Sequence, residues 1–323
     1  MLILFANNSF SKKVFGRISC TVNYVILLNM AKYTLETLSG MKGKVRLIAL
    51  DLDGTLLNSQ KEISQRTRSA LIKAASCGIG IAITTGRHPR SVLRYAEQIG
   101  DGKPSGYAVI FNGAAVISVD DYAQDPVDCG FPVLCDETCT GREASVIASF
   151  ALDHGCGVNG YSKERGLLVQ SVNRHSYREI SHNQVAYQEI DFKKCDSSEH
   201  FFKFLCTGEP DILDRFREDL EDRSVRDLAA TFSVMRSDPD FLEFIPGRST
   251  KGTALKALCG KIGISPSEVM AFGDAENDLD MIRIAGIGVA MQNSQLEQLL
   301  EEADLVTLSN DDDGVAAAVE KIL

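Results

Sequence analysis

From Val45 onward the chain alternates short runs of consecutive apolar residues with longer stretches in which apolar positions recur every three or four residues. Val45–Leu50 is a run of the first kind, ending in Asp51-Leu52-Asp53-Gly54-Thr55, as expected of a strand buried on both faces. Ser64 is placed to cap a helix running through Cys77, with Gly78 as its stop signal. Ile79–Ile83 predicts the next strand, Pro89–Ile99 a helix with proline in its first turn, and Tyr107–Phe111 a third strand. The pattern resumes late in the chain. Lys251–Ile262, Ala275–Ile284, Gln295–Glu302 and Val315–Leu323 predict helices, while Val269–Gly273, Ile287–Ala290 and Asp304–Thr307 predict strands. Buried strands separated by amphipathic helices imply an α/β protein: a Rossmann-like, doubly wound parallel sheet with helices on both faces.

Between residues 118 and 241 the alternation fails. This stretch is more polar and holds short strand-like pieces with two predicted helices, near Arg142–His154 and Pro210–Asp222. It reads as an inserted α+β domain, a cap, so that 41–117 and 242–323 together form one core. Residues 1–40 stand apart. Lys12, Lys13, Arg17 and Lys32 oppose a single acid, Glu36. The segment lacks the ordered regions of a secretory signal, so it reads as a disordered extension or as sequence upstream of a start at Met41, in preference to an organelle-targeting peptide.

Composition narrows the class. With 34 Lys+Arg against 44 Asp+Glu the net charge is −10, which argues against a general binder of nucleic acid or anionic membrane. No apolar stretch reaches the roughly 20 residues of a membrane-spanning helix. Nine cysteines without a C-x-x-C pair suggest reduced thiols and a cytoplasmic setting. The expected ligand is a small molecule, and the expected assembly a monomer or homodimer.

The candidate chemistry sits where the strands end. Ligands of open parallel sheets bind beyond the carboxyl ends of the strands. Asp51 and Asp53, two apart, can face one crevice, and two like charges so close call for a counter-charge such as Mg²⁺. Gly273-Asp274-Ala275-Glu276-Asn277-Asp278 follows another strand and can complete such a site. Thr85-Gly86 offers a hydroxyl and a backbone N–H, and Lys251 a positive charge at a helix start. Acids with Mg²⁺, a hydroxyl and a lysine converging on one point suit phosphoryl transfer.

These motifs, with Phe111-Asn-Gly-Ala and Gly288-Val-Ala-Met-Gln-Asn, resemble the haloacid-dehalogenase-like hydrolases, and within them the Cof-type phosphatases with a large α+β cap. The resemblance runs from about Lys44 to the C-terminus. It implies an Mg²⁺-dependent phosphatase hydrolysing a small phosphorylated metabolite, such as a sugar phosphate, through an aspartyl-phosphate. Asp51 would be the nucleophile and Asp53 the general acid and base, with its backbone carbonyl on Mg²⁺. Thr85 and Gly86 would hold the phosphoryl oxygens, Lys251 would neutralise them, and Asn277 would contact phosphate or neighbours of the metal site. Asp274 and Asp278 would join Asp51 and Asp53 as metal residues, and Asn112 and Gly113 would line the site near the hinge. Thr84 competes with Thr85 for the phosphate-binding role. Arg87 reads as structural. Pro246-Gly-Arg-Ser-Thr departs from the valine-serine that relatives carry before the lysine, without changing the spacing from Glu243. A phosphosugar mutase uses the same residues, and a non-catalytic phosphate sensor is the remaining alternative. Within the cap, Arg142, Tyr161, Lys163, Arg165 and Arg174 are the polar residues available to read a substrate, although surface positions suit them better.

Overall fold

A computed structural model describes residues 32–220 and 225–323. Most of the predicted N-terminal extension, and the last two residues of the helix expected at Pro210–Asp222, lie outside the described residues.

Two sheets organise the chain. The first has eight strands in the order Leu305–Val306, Ile287–Ala290, Val269–Gly273, Leu47–Asp51, Gly80–Thr84, Tyr107–Ile110, Ala115–Ser118 and Cys135–Asp136. The first six run parallel, and the last two add antiparallel to the edge. Successive strand residues point to opposite faces, and the core sorts accordingly. Ile48 and Leu50 pack with Leu71 and Val319 on one face. Leu47 and Ala49 pack with Leu255 and Leu258 of the helix Lys251–Ile262 on the other. Both faces are thus covered, which is why these strands read as unbroken apolar runs.

The second sheet has seven strands, six of them in the order Phe232–Asp238, Phe241–Pro246, His200–Thr207, Gly157–Ser162, Gly166–Val169 and Tyr187–Glu189, with Cys139–Thr140 also pairing to His200–Thr207. It is antiparallel except for the pairing of its last two strands. One face buries Val158, Leu168, Phe204 and Phe244 beneath the helices Gly141–Asp153 and Pro210–Asp219. The other carries Tyr161, Leu205, Phe241 and Ile245, which join the same apolar cluster as the first sheet's Ile48 face.

Several expectations shift. The predicted boundaries at 117/118 and 241/242 do not coincide with where the strands pair. The hairpin formed by Tyr107–Ile110 and Ala115–Ser118, with Cys135–Asp136, extends the first sheet past residue 117. Phe241–Pro246 pairs in the second sheet, so the return follows Pro246. The helix expected over Ala275–Ile284 is a 3₁₀ turn, Glu276–Asp278, followed by Leu279–Ile284, because the Asp278 carboxylate accepts from the N–H groups of Asp274 and Ala275 and tightens the first turn. A helix missed in sequence, Arg174–Asn183, is capped by Asn173, whose side chain accepts from His175 N and Ser176 N.

The disordered extension expected through residue 40 is also corrected. From Lys32 the chain is packed: Tyr33 N donates to Asp304 O at 2.8 Å, and Leu38 is fully buried in the apolar cluster that includes Val315, Val319 and Ile322. The fully buried Leu38, with Tyr33, Leu35 and Met41 packed less deeply, fastens this segment, a pattern too short to register as periodicity. Leu38→Ala should therefore cost about 2–4 kcal/mol. A urea midpoint showing a loss below about 0.5 kcal/mol would mean that the segment merely rests on the surface.

Candidate active site

Strand alternation delivers the first carboxylate. Asp51 shares the face of Leu47 and Ala49, the face covered by the helix whose first residue is Lys251. Lys251 Nζ meets Asp51 Oδ1 at 2.5 Å and Asp278 Oδ1 at 2.7 Å, all three residues being buried. Thr250 holds that helix start through a reciprocal capping box with Thr253. Asp274, at the end of Val269–Gly273, accepts from Thr55 Oγ1 at 2.8 Å. Gly54 has φ +87°, and a Cβ there would lie 2.4 Å from Asp274 Oδ2, so only glycine lets the turn after Asp51 pass this close to the second acid.

Asp51, Asp274 and Asp278 each offer an oxygen within 4.8 Å of the others. Burial, then the neighbouring acids Asp278 and Asp274, push the Asp51 carboxyl well above its ordinary range, with Lys251 opposing them. Burial and the Asp278 charge raise Asp274 to about 6. For Lys251 burial works the other way, but the Asp278 and Asp51 charges outweigh it and hold the ammonium charged. Three carboxylates against one ammonium leave uncompensated negative charge among hard oxygen donors, which is the chemistry a divalent cation fits.

Asp53 does not join that cluster. Arg87 grips it with two bonds, Nη2 to Oδ1 at 2.6 Å and Nε to Oδ2 at 2.9 Å, and Lys61 Nζ adds a third at 2.8 Å. Burial disfavours its charge, but Arg87 and Lys61 outweigh burial and lower the carboxyl below its ordinary range. Arg87, expected to be structural, therefore faces the chemistry directly.

The two threonines separate cleanly. Thr84 continues the strand face of Ala82 and donates to Met281 Sδ, away from the cavity. Thr85 lies on the cavity wall with Gly86, and its Oγ1 accepts from Arg87 N at 3.2 Å, leaving the hydroxyl proton available. Asn277 also lines the cavity and donates to Asn112 Oδ1 at 3.0 Å.

Asp278 is fully buried, with Oδ1 bonded to Lys251 and Oδ2 to the Asp274 and Ala275 N–H groups, and it stays in the acid cluster whose oxygens could hold a metal. One expectation needs correction. Gly113 is not on the wall. Its φ is +106°, and a Cβ would fall 2.2 Å from Thr250 O, so it serves close backbone packing against the start of the lysine's helix, while Asn112 lines the cavity.

The cavity measures about 830 Å³ and lies between the carboxyl ends of the first sheet's strands and one face of the second sheet. From the inserted segment its wall includes Arg178, Glu179, Asn183, Lys203, Arg236 and Glu243. None of the five polar residues considered for the cap lies there. Arg142 is exposed, Tyr161 is buried and donates to Glu179, and Lys163, Arg165 and Arg174 pair with Asp136, Glu199 and Glu209. Position on the helix Arg174–Asn183 and on three strands of the second sheet, unreadable before those elements were known, decides which polar residues reach inward. Among the described residues no helix is long and apolar enough to cross a membrane.

Comparison with known proteins adds relatives to this geometry. A sequence profile of the haloacid dehalogenase-like hydrolases matches residues 48–319. The Bacillus subtilis protein named 5-amino-6-(5-phospho-D-ribitylamino)uracil phosphatase YwtE is 29% identical over 298 residues, covering 86% of this chain and 98% of its own. Phosphatase YwpJ of the same organism is 29% identical over 300 residues, covering 86% and 100%. Among solved structures, a haloacid dehalogenase-like hydrolase from Bacteroides thetaiotaomicron superposes with a TM-score of 0.72 at 31% identity, covering 86% of this chain and 100% of its own.

Proposed function

This chain belongs to the haloacid dehalogenase-like hydrolase family, in its Cof-type branch, and is a phosphatase; from that premise we propose that it hydrolyses the phosphomonoester of a small metabolite, a sugar phosphate or similar polyol phosphate, with Mg²⁺ as cofactor and Asp51 as nucleophile. The observation that carries the reading is the acid cluster with its buried lysine at the foot of the cavity. Asp51 and Asp274, with the backbone carbonyl of Asp53, would hold Mg²⁺, and Asp278 would keep Asp274 and Lys251 in place. When bound, the ion supplies positive charge that stabilises the transferring phosphoryl oxygens.

This chain's residues divide the work. The Thr85 hydroxyl and the Gly86 N–H bind phosphoryl oxygens, and Lys251 keeps the free Asp51 oxygen aligned for attack. The Asp51 O–P bond forms as the bond from phosphorus to the leaving oxygen breaks, and Asp53 gives that oxygen a proton. Asp53 then takes a proton from the water that attacks phosphorus, releasing phosphate and restoring the Asp51 carboxylate. Asp53 starts as a carboxylate gripped by Arg87. A phosphoryl dianion entering the cavity offers Arg87 another acceptor, and release of the grip raises the carboxyl so that Asp53 takes up from solvent the proton it gives the leaving oxygen; the proton later taken from water returns to solvent when Arg87 re-engages. The inserted segment acts as the cap, with Arg178, Asn183 and Arg236 on its wall placed to read the rest of the substrate.

The test is phosphate release from a panel of sugar phosphates, polyol phosphates including 5-amino-6-(5-phospho-D-ribitylamino)uracil, and nucleotides. Release should require Mg²⁺ and vanish in EDTA. Release indifferent to EDTA would overturn the cofactor, and no release from any compound would overturn the hydrolysis.

A second signature is thermal. Asp274, raised to about 6, sits above its unfolded value of about 4, so its stabilising protonation is complete below the unfolded value and is lost as pH rises through the folded one. In EDTA, Tm should rise as pH falls from about 7.5 to about 5, and saturating Mg²⁺ should flatten that rise. Equal slopes with and without Mg²⁺ would remove the cation site.

A further inference from the structure

Lys203 and Glu243 are charged residues on the second-sheet face that otherwise buries Tyr161, Leu205, Phe241 and Ile245. Their side chains are 3% and 7% exposed, and Nζ lies 3.1 Å from Oε1. So dry an ion pair is costly unless further hydrogen bonds satisfy both partners. Those bonds all run to the first sheet. Lys203 Nζ donates to Gly86 O at 3.0 Å, and Glu243 Oε2 accepts from Asn112 Nδ2 at 3.1 Å. Asn112 passes the connection to Asn277. The pair thus reaches the segments that follow Gly80–Thr84 and its neighbour Tyr107–Ile110 and, through Asn277, the segment after Val269–Gly273, on the far side of Leu47–Asp51.

The contact at Gly86 has a specific outcome. Gly86 O and Arg87 N belong to one peptide group. Lys203 holds its oxygen, and its N–H donates to Thr85 Oγ1. Fixing this plane from the cap side fixes the lone pair that Thr85 uses as acceptor, which aims the hydroxyl proton into the cavity. The same residue, Arg87, carries the guanidinium that grips Asp53.

We propose that Lys203 and Glu243 are a positioning pair: seated by the cap, they set the Gly86–Arg87 peptide and through it the Thr85 hydroxyl that receives the phosphoryl group. The pair touches no reacting atom. This rests on the phosphatase reading above, and it makes phosphoryl binding depend on how the cap is seated, whatever the rest of the substrate is.

The test uses p-nitrophenyl phosphate, whose leaving group offers the cap little to read, with inorganic phosphate as competitive inhibitor. Lys203→Met alone strands a buried carboxylate and can unfold the protein, so Lys203→Met/Glu243→Met, which removes both charges, is the principal variant, with Glu243→Gln beside it. The double variant should keep a cooperative melt, lose about 10- to 100-fold in kcat for p-nitrophenyl phosphate and bind phosphate correspondingly more weakly, because a misplaced donor costs rate on every substrate. Glu243→Gln, which keeps both hydrogen bonds in reach, should fall between. A double variant within twofold of wild type in kcat and in phosphate inhibition overturns the proposal. So does a loss confined to larger substrates, which would make Lys203 a reader of the leaving group. If the wild type itself releases no phosphate, the phosphatase reading fails instead, and the two failures are told apart.

Discussion

Asp51→Asn is expected to lower phosphate release by about 10⁴-fold or more while leaving Tm in EDTA unchanged or higher. The amide cannot form the acyl phosphate, and no other carboxylate can replace it. Asp278 is fully buried with both oxygens in use, Asp53 is turned to Arg87, and Asp274 is held by Thr55. The stability half follows from the raised carboxyl. Its ionised form is disfavoured by burial and by two neighbouring acids, so removing the charge relieves the fold, and Lys251 retains Asp278 as partner. Phosphate-release kinetics beside a thermal melt measure both. A variant keeping more than about 1% of wild-type turnover would take the nucleophile's role away from Asp51.

Lys251→Met should act oppositely on stability. It removes the ammonium that pairs with both buried carboxylates, and breaking such a pair costs about 3–5 kcal/mol. Turnover should fall about 10²- to 10³-fold, as when one donor to a developing anion is lost. Mg²⁺ should return part of the stability, since a cation offsets the same charge, without returning the rate. Asp51→Asn should stabilise the Lys251→Met protein by more than it stabilises the wild type, because there it removes a stranded charge. Urea denaturation of the two single variants and the double one tests this, and purely additive effects would mean that Lys251 and Asp51 do not sense each other.

Those two residues were legible in sequence because each belongs to a local pattern. Asp51 ends an apolar run, and Lys251 begins an amphipathic helix capped by Thr250. The parallel strands were legible for the same reason: Ile48 and Leu50 face one layer and Leu47 and Ala49 the other, so every position is apolar. The Thr84–Thr85 ambiguity was not resolvable until Thr84 was seen to follow Ala82 toward Met281. Lys203 and Glu243 were invisible. A lysine in an aromatic-rich strand and a glutamate between leucine and phenylalanine carry no local signal, and only the pairing of His200–Thr207 with Phe241–Pro246 brings them together. Leu38 and the helix Arg174–Asn183 escaped for a related reason, one lying in a stretch too short to show periodicity and the other fixed by its cap.

The strand order of the first sheet has a consequence for how the protein is made. Leu47–Asp51 lies between Gly80–Thr84 and Val269–Gly273, so one of its neighbours leaves the ribosome almost at once and the other only after the inserted segment has been synthesised. The second sheet draws all its strands from residues between Cys139 and Pro246, and it can close while Leu47–Asp51 still has a bare edge. Lys251 and Asp51 are 200 residues apart, and until they meet Asp51 is an ordinary exposed carboxylate. A nascent chain can therefore complete its second sheet before its first. Its hazard during synthesis is an open apolar strand edge, which stays bare until Val269–Gly273 arrives.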